Sequence, residues 1–146
     1  EGITRAIPTK SNADGIRRTL ELMEKPCRGV VFTNLVDFDS LYGHRRDPAG
    51  YAQALAEFDR AVPDLKRLTG DDGLLIITAD HGNDPVHHGT DHTREYVPLL
   101  LYNPRMAGRP LGTRSTFADL AATIAELFGV QRPPHGTSFL NDLGLA

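Results

Sequence analysis

The 146 residues of this sequence contain no tryptophan and a single cysteine, Cys27. A single cysteine excludes an intrachain disulfide and is typical of a reducing compartment. No apolar run approaches the ~20 residues of a membrane-spanning helix. A basic segment followed by an apolar one, as in a signal peptide, is not seen at the start of the sequence. We therefore expect a cytoplasmic protein that does not bind membranes.

An excess of charge of one sign is also lacking. Sixteen basic and nineteen acidic residues give a formal net charge of −3, which provides no general attraction to nucleic acids or acidic membranes. Hydrophobic residues make up 40% of the chain and charged residues 24%, as in an ordinary globular protein. The length is sufficient for one domain with its own hydrophobic core.

The sequence does contain clusters of aspartate and histidine. An apolar run over residues 74–79 ends in an Asp-His-Gly sequence, and a second Asp-His pair follows about ten residues later. A third cluster follows the apolar run of residues 29–36. Carboxylates and imidazoles gathered where buried strands should end indicate metal ligands rather than packing. The residues that stand out are Asp39, His44, Asp80, His81 and His92.

The hydrophobic pattern predicts alternating helices and strands, and hence an α/β fold. Helices are predicted over residues 12–25, 51–68 and 117–128, and strands over residues 29–36, 74–79 and 97–102. Pro63 is expected to kink or split the second helix. Gly70 is expected to end that helix, and Thr116 and Gly129 are expected to cap the last one.

The order strand, helix, strand predicts a right-handed crossover between two parallel strands. The carboxyl ends of both strands would then lie at one edge of the sheet, where open α/β sheets bind ligands. Because adjacent strands are ~4.8 Å apart, Asp37 and Asp39 would lie beside Asp80 and His81. These groups could share a metal cluster.

Three histidines with two or more carboxylates exceed what one ion requires, and the number suits two ions ~3.5–4 Å apart. Mixed imidazole and carboxylate ligation fits zinc or manganese better than magnesium or calcium. Such a site would polarise a phosphoryl or sulfuryl group. Each residue alone has a simpler explanation, since strand-end carboxylates often cap turns and single histidines are often surface residues. His87, His88 and Lys10 are interpreted as solvated side chains.

Several runs closely resemble the phosphopentomutase family: residues 34–39 (NLVDFD), 42–47 (YGHRRD), 79–82 (ADHG), 89–95 (GTDHTRE) and 8–15 (PTKSNADG). The resemblance extends from about Gly2 to Tyr102. The Asp-His-Gly sequence alone would indicate only the alkaline-phosphatase-like superfamily. That superfamily also contains cofactor-independent phosphoglycerate mutases, sulfatases and nucleotide pyrophosphatases.

The resemblance implies an enzyme that interconverts ribose 1-phosphate and ribose 5-phosphate, and the deoxyribose pair, with two manganese ions and a phosphothreonine. Carried over by motif, Asp39, His44 and His92 would bind one ion, and Asp80 and His81 the other. Asp37 would hold a ligand or the backbone in place. Candidates for phosphate contacts or structural ion pairs are Arg45, Arg46 and Arg94, with a weaker phosphate contact from Lys10.

Family members are far longer, and their N-terminal part carries a further metal-binding aspartate, the nucleophilic threonine and a cap domain. We therefore expect residues 1–146 to be the C-terminal portion of one catalytic core. The fold would be a three-layer, alkaline-phosphatase-like α/β core with a mostly parallel sheet, and no catalytic nucleophile would lie in this chain. Its partners would be a pentose phosphate and the N-terminal part of the same protein.

Two alternatives remain open. The chain could be a metal-binding module that is catalytically incomplete, or it could belong to another superfamily member such as a phosphoglycerate mutase or a phosphatase. The runs YGHRRD at 42–47 and TDHTRE at 90–95 argue against the second alternative. The ligand types do not decide which divalent metal occupies the site in the cell.

Overall fold

The computed structural model describes residues 2–145, which divide into two compact units, one up to Leu101 and one from Tyr102 onward. The elements of the first unit are α1 (Asn12–Met23), a π-helix (Phe38–Gly43), α2 (Pro48–Thr69), β1 (Leu75–Thr78) and β2 (Leu99–Tyr102), whose last residue belongs to the second unit. The second unit contains α3 (Ala118–Leu127) and a short 3₁₀-helix (Leu140–Leu143). No helix within residues 2–145 has the length and apolar character that crossing a membrane requires.

Local capping explains where α1 and α2 begin. The Ser11 hydroxyl accepts a hydrogen bond from the Asp14 amide, and the Asp47 carboxylate accepts one from the Gly50 amide. Pro48, at the first position of α2, lacks an amide hydrogen that would in any case have no intrahelical acceptor. At the other end, Gly70 has the predicted C-cap position with φ of 61°.

Of the two outcomes predicted for Pro63, a kink or a split, the split is wrong, because α2 continues through Pro63 to Thr69. Proline removes one backbone hydrogen bond from a helix interior. Leu65, two residues further on, is 4% exposed, and burying this side chain favours continuing the helix past the proline. The predicted helix at residues 51–68 is otherwise confirmed, with its start moved to Pro48.

The predicted strand at residues 29–36 is wrong, because this segment has no regular secondary structure and pairs with no strand of the described residues. Val30 and Phe32 are 60% and 86% exposed, whereas a strand inside a parallel sheet would bury both faces. Only one side is packed: Thr33 bonds the Thr19 hydroxyl across 2.6 Å, and Leu35 lies against Gly15. A β-strand requires a neighbour to satisfy its amides and carbonyls, whatever its own propensity.

The sheet has two strands, β1 and β2, which run antiparallel. Both predicted strands at residues 74–79 and 97–102 are confirmed, with shorter bounds. The chain is thus mixed α/β, while the mostly parallel three-layer core stays a prediction. The crossover from residues 29–36 to residues 74–79 does not form, because the first of these segments is not a strand.

The second unit is organised around Asp119, which is 3% exposed at the start of α3. Its carboxylate accepts hydrogen bonds from the Thr137 amide at 2.8 Å and from Arg114 Nε at 3.0 Å. Gly129, with φ of 62°, follows α3 as predicted, and the 3₁₀-helix after Phe139 was not predicted. The Thr116 hydroxyl accepts from the Ala118 amide at 3.2 Å, although the helix itself is capped at Phe117.

Candidate metal centre

The π-helix brings Asp39 and His44 together. In this helix, amides bond carbonyls five residues back, so side chains five apart lie above one another. The His44 amide donates to the Asp39 carbonyl at 2.9 Å, and His44 Nε2 lies 3.3 Å from Asp39 Oδ2. Single π-turns are rare and occur frequently at functional sites. The proximity of these two side chains is therefore produced locally, by the turn itself.

His92 reaches the same point from the loop that follows β1. Its Nε2 atom lies 3.0 Å from His44 Nε2 and 3.3 Å from Asp39 Oδ1. His81 is close behind, with its ring stacked on that of His92 at a centroid distance of 3.7 Å. His81 Nε2 lies 4.0 Å from Asp39 Oδ1. Three imidazole Nε2 atoms thus surround one carboxylate.

Backbone carbonyls fix the orientation of two of these rings. His44 Nδ1 donates to the Thr90 carbonyl at 2.5 Å, and His81 Nδ1 donates to the Gly82 carbonyl at 3.2 Å. A neutral imidazole that donates from Nδ1 carries its free lone pair on Nε2. Metal-binding histidines almost always use this arrangement, in which the second nitrogen is held by a carbonyl or a carboxylate.

The spacing of the donor atoms fits a divalent cation. Bonds of ~2.1 Å place neighbouring ligand atoms ~3.0 Å apart in an octahedral site and ~3.4 Å apart in a tetrahedral one. The Nε2 atoms of His44 and His92 lie 3.0 Å apart, and each lies 3.3 Å from one oxygen of Asp39, Oδ2 for His44 and Oδ1 for His92. Asp39, His81 and His92 form a second possible grouping, whose donor atoms lie within 4.8 Å of one another.

The remaining predicted ligand, Asp80, points more to solvent. Its side chain is 85% exposed, and Oδ1 lies 3.8 Å from His81 Nε2. The structure therefore gathers Asp39, His44, His81 and His92 closely and leaves Asp80 at the margin of the cluster. That these five residues bind metal stays a prediction. His87 and His88 contact each other, with ring centroids 4.3 Å apart, on an exposed part of the loop.

Asn83 is a supporting residue that sequence reasoning missed. Its Nδ2 atom donates to Asp39 Oδ1 at 2.7 Å and so helps to orient that carboxylate. The approach is close, because a Cβ atom on Gly43 would lie 2.5 Å from Asn83 Nδ2. The position of Asn83, directly after the Asp-His-Gly sequence, was the available signal.

Asp37 holds the segment that precedes the π-helix. Its Oδ2 atom accepts from the Asn12 amide at 2.7 Å, and its own amide donates to Asn12 Oδ1 at 3.0 Å. This reciprocal pair ties the start of α1 to the turn that leads into Asp39. Asp37 thus contacts backbone rather than the cluster of imidazoles.

The four predicted cations have different surroundings. Arg46 donates to acceptors throughout residues 83–91. Arg45 and Arg94 are exposed, and neither side chain has a hydrogen bond or ion pair within residues 2–145. The exposed Lys10 side chain, just before α1, likewise forms no ion pair with the described residues. The backbone amide of Lys10 donates to Asp14 Oδ2 at 3.1 Å. This bond lowers the pKa of Asp14, and a hydrogen bond from Arg17 lowers it further.

Tyr51 on α2 lies behind the cluster and packs on Phe38, with ring centroids 5.3 Å apart. Burial raises the pKa of Tyr51, and the negative charge of Asp39 raises it further. The phenol therefore stays neutral at physiological pH. The Thr93 hydroxyl next to the cluster is already engaged, since it accepts from the Asp84 amide at 2.6 Å and donates to Glu95.

Comparison with known families agrees with this geometry. The sequence model of the Metalloenzyme superfamily matches residues 1–132, which include every residue of the cluster and its supporting contacts. A match over most of the chain establishes the relationship at the level of the superfamily. The chain belongs to the Metalloenzyme superfamily.

Proposed function

We propose that this chain carries the metal-binding part of a phosphopentomutase, which interconverts (deoxy)ribose 1-phosphate and (deoxy)ribose 5-phosphate through a phosphothreonine and two manganese ions. The observation that carries the proposal is the convergence of Asp39, His44 and His92, whose donor atoms lie 3.0–3.3 Å apart. Superfamily membership supports a metal-dependent enzyme. The substrate assignment rests on the resemblance of the runs at 34–47 and 79–95 to that family.

In this proposal Asp39, His44 and His92 hold one ion, and Asp80 and His81 hold the other. Divalent cations at these positions would polarise a phosphoryl oxygen and neutralise the charge that develops during transfer. Arg45 and Arg94 are exposed and without partners among the described residues, so their guanidinium groups are available for a bidentate contact with a phosphate.

The nucleophilic threonine would come from outside this chain, as the resemblance to the family implies. Thr93, the threonine that follows His92, is already engaged in hydrogen bonds. The N-terminal part of the same protein, with its cap, would be the partner that completes the site in the cytoplasm. It would also complete the alkaline-phosphatase-like three-layer core with its mostly parallel sheet. Neither nucleic acid nor membrane takes part in this proposal.

The engagement of the Thr93 hydroxyl favours a second candidate function, a metal-binding module with no mutase activity of its own. Such a module would bind the ions and at most hydrolyse phosphate esters slowly. Both candidates require the metal centre, and they differ in whether pentose phosphates are recognised. A phosphoglycerate mutase or a phosphatase would require the same centre with a different substrate.

The metal centre is tested by titrating Mn²⁺ into the full chain and following the free ion by electron paramagnetic resonance. We expect His92→Ala and Asp39→Ala to lose at least one equivalent of tightly bound Mn²⁺. His135→Ala serves as a matched control, because this histidine is exposed and belongs to the second unit. Equal Mn²⁺ binding by all four proteins would refute the assignment.

The substrate class is tested on the Mn²⁺-loaded chain by calorimetry with ribose 5-phosphate, 3-phosphoglycerate and inorganic phosphate. Tighter binding of ribose 5-phosphate than of the other two would support the phosphopentomutase proposal. A preference for 3-phosphoglycerate would favour the mutase alternative, and equal weak binding of all three would favour the metal-binding module.

A further inference from the structure

Arg46 is bonded to the loop that carries His92 at four points. Its guanidinium donates to the carbonyls of Gly89, Asp84 and Asp91, at 2.5, 2.7 and 2.6 Å. A fourth bond goes to Asn83 Oδ1 at 2.8 Å. Four of the five N–H donors of the guanidinium are thereby used, and all four acceptors are uncharged.

These bonds reach each of the three closely spaced candidate ligands. Asn83 accepts from Arg46 and donates to Asp39 at 2.7 Å, so it relays the position of the guanidinium to the carboxylate. The carbonyls of Gly89 and Asp91 flank Thr90, whose own carbonyl accepts from His44 Nδ1 at 2.5 Å. His92 directly follows Asp91, the last residue that Arg46 holds.

The backbone at Arg46 indicates that this side chain is specifically required. Arg46 has φ of 54°, in the left-handed region where glycine is favoured, and it is the one such non-glycine residue between residues 2 and 145. A strained conformation persists only when the surrounding contacts enforce it, and such positions cluster at functional sites. Glycine would relax the backbone here but would lose all four hydrogen bonds.

We propose that Arg46 is a positioning residue of the metal centre, which clamps residues 83–91 so that Asp39, His44 and His92 converge on one cation. The inference rests on the proposed metal centre and goes beyond it, because it removes Arg46 from the phosphate-binding candidates. A guanidinium that already donates four bonds to fixed acceptors has one N–H left, too few for a bidentate contact with a phosphate. Arg45 and Arg94 retain that capacity.

The test measures Mn²⁺ affinity of the full chain by calorimetry for Arg46→Ala, Arg46→Gly and Arg46→Lys. Loss of outer contacts of this kind typically weakens metal binding ~10–100-fold, and we expect all three variants to fall in that range. Arg46→Gly should not recover affinity although it relaxes the backbone. Arg46→Lys should recover little, because one ammonium cannot reach four separate acceptors. Arg60→Ala, an exposed arginine on α2, controls for loss of one positive charge.

Two further readouts separate positioning from general stability. The visible absorption spectrum of the Co²⁺-loaded chain reports ligand geometry, and we expect it to change in Arg46→Ala and in Asn83→Ala but not in Arg60→Ala. Asn83→Ala removes one Arg46 bond and the bond to Asp39 but leaves the three carbonyl contacts of Arg46, so it tests the relay even if the arginine variants fold poorly. In a double-mutant cycle, Arg46→Ala and Asn83→Ala should be less than additive in Mn²⁺ affinity.

Hydrogen exchange of the metal-free chain distinguishes the two proposals. The clamp predicts faster exchange at residues 84–93 in Arg46→Ala than in the unchanged chain. If that difference appears but the unchanged chain binds no Mn²⁺, the metal centre is refuted and the clamp stands. Unchanged exchange in Arg46→Ala would overturn the clamp. So would an unchanged Mn²⁺ affinity or Co²⁺ spectrum in Arg46→Ala, where the unchanged chain does bind the ion.

Discussion

Asn83 Nδ2 lies against Gly43, 2.5 Å from the position that a Cβ atom on that glycine would occupy. The same Nδ2 atom donates to Asp39 Oδ1 at 2.7 Å. Gly43 is the last residue of the π-helix that carries Asp39. The missing side chain at position 43 therefore makes room for the amide that orients the carboxylate.

We expect Gly43→Ala to weaken Mn²⁺ binding about 10-fold, in the range for lost outer contacts, with a small change in thermal stability. The added methyl group would meet the Asn83 amide and lie 3.0 Å from the Phe38 carbonyl, so the amide must shift and its hydrogen bond to Asp39 would be lost. Calorimetry with Mn²⁺ measures the effect.

The matched control is Gly29→Ala, because a Cβ atom there meets nothing within 4 Å. Its Mn²⁺ affinity should equal that of the unchanged chain. Full affinity in Gly43→Ala would show that the bond from Asn83 does not orient Asp39 for binding.

We expect Arg94→Ala to weaken the binding of ribose 5-phosphate to the Mn²⁺-loaded chain while leaving Mn²⁺ affinity unchanged. A charge-assisted hydrogen bond contributes about 1.5–3 kcal/mol, which corresponds to ~10–100-fold in affinity. Arg94 is exposed and has no partner among residues 2–145, so its removal breaks no contact within the chain. Calorimetry with each ligand in turn separates the two effects.

Arg60→Ala again provides the control for charge alone. A loss of Mn²⁺ affinity in Arg94→Ala with unchanged binding of ribose 5-phosphate would assign Arg94 to the support of the cluster. Arg45→Ala tests the second exposed guanidinium in the same way.

Residue types and spacing predicted which side chains lie close together, but they did not predict the backbone structure that brings them together. The sequence placed Asp39 near His81 on the argument that two parallel strands would end at one sheet edge. The structure brings these residues together, yet residues 29–36 form no strand, because nothing in the described chain pairs with them. Instead, Asp39 and His44 meet through a π-helix, whose five-residue hydrogen bonding leaves no clear sequence signal.

The role of Arg46 was beyond sequence reasoning for a different reason. Arg45 and Arg46 are adjacent and chemically identical, and the sequence treated both as candidates for phosphate. Only the path of residues 83–91, almost forty residues away, decides that one is bonded four times and the other not at all. Elements set by local periodicity, such as α1, α2 and α3, were predicted well, because caps and apolar faces are local features.

We expect Phe32→Lys to reduce self-association of the chain. Phe32 is 86% exposed and Val30 is 60% exposed in a segment that pairs with no strand of the described residues. Unpaired, exposed apolar backbone is a template for pairing with another chain. A positive charge at the centre of such a segment opposes that pairing. Sedimentation velocity over a range of concentrations measures the change.

Phe117→Lys is the comparison, since Phe117 is 60% exposed but lies outside this segment, just before α3. Its association should match that of the unchanged chain. Association that responds equally to both substitutions, or to neither, would show that residues 29–36 are not the contact. Mn²⁺ affinity should be the same in all three proteins, because Phe32 does not touch the cluster.

We expect Asp119→Asn to lower the melting temperature by several degrees at neutral pH. We also expect it to change how the free energy of unfolding depends on pH in the acid range. The Thr137 amide, and then Arg114, hold the pKa of Asp119 below its ordinary value of 3.8. A carboxyl group whose pKa is lowered by folding stabilises the folded state at every pH above its pKa in the unfolded state. That contribution is lost as the pH falls through its pKa in the folded state. In Asp119→Asn the side-chain NH₂ group would also face the N–H donors of Arg114, where the carboxylate oxygen now accepts a hydrogen bond.

The difference in unfolding free energy between the unchanged chain and Asp119→Asn should therefore be constant above about pH 5 and shrink below pH 4. Urea unfolding at a series of pH values measures it. Asp142→Asn is the control for the loss of one carboxylate, because Asp142 is exposed in the 3₁₀-helix. A difference that grows as the pH falls would contradict the proposed bonding of Asp119, since the sign follows directly from a lowered pKa.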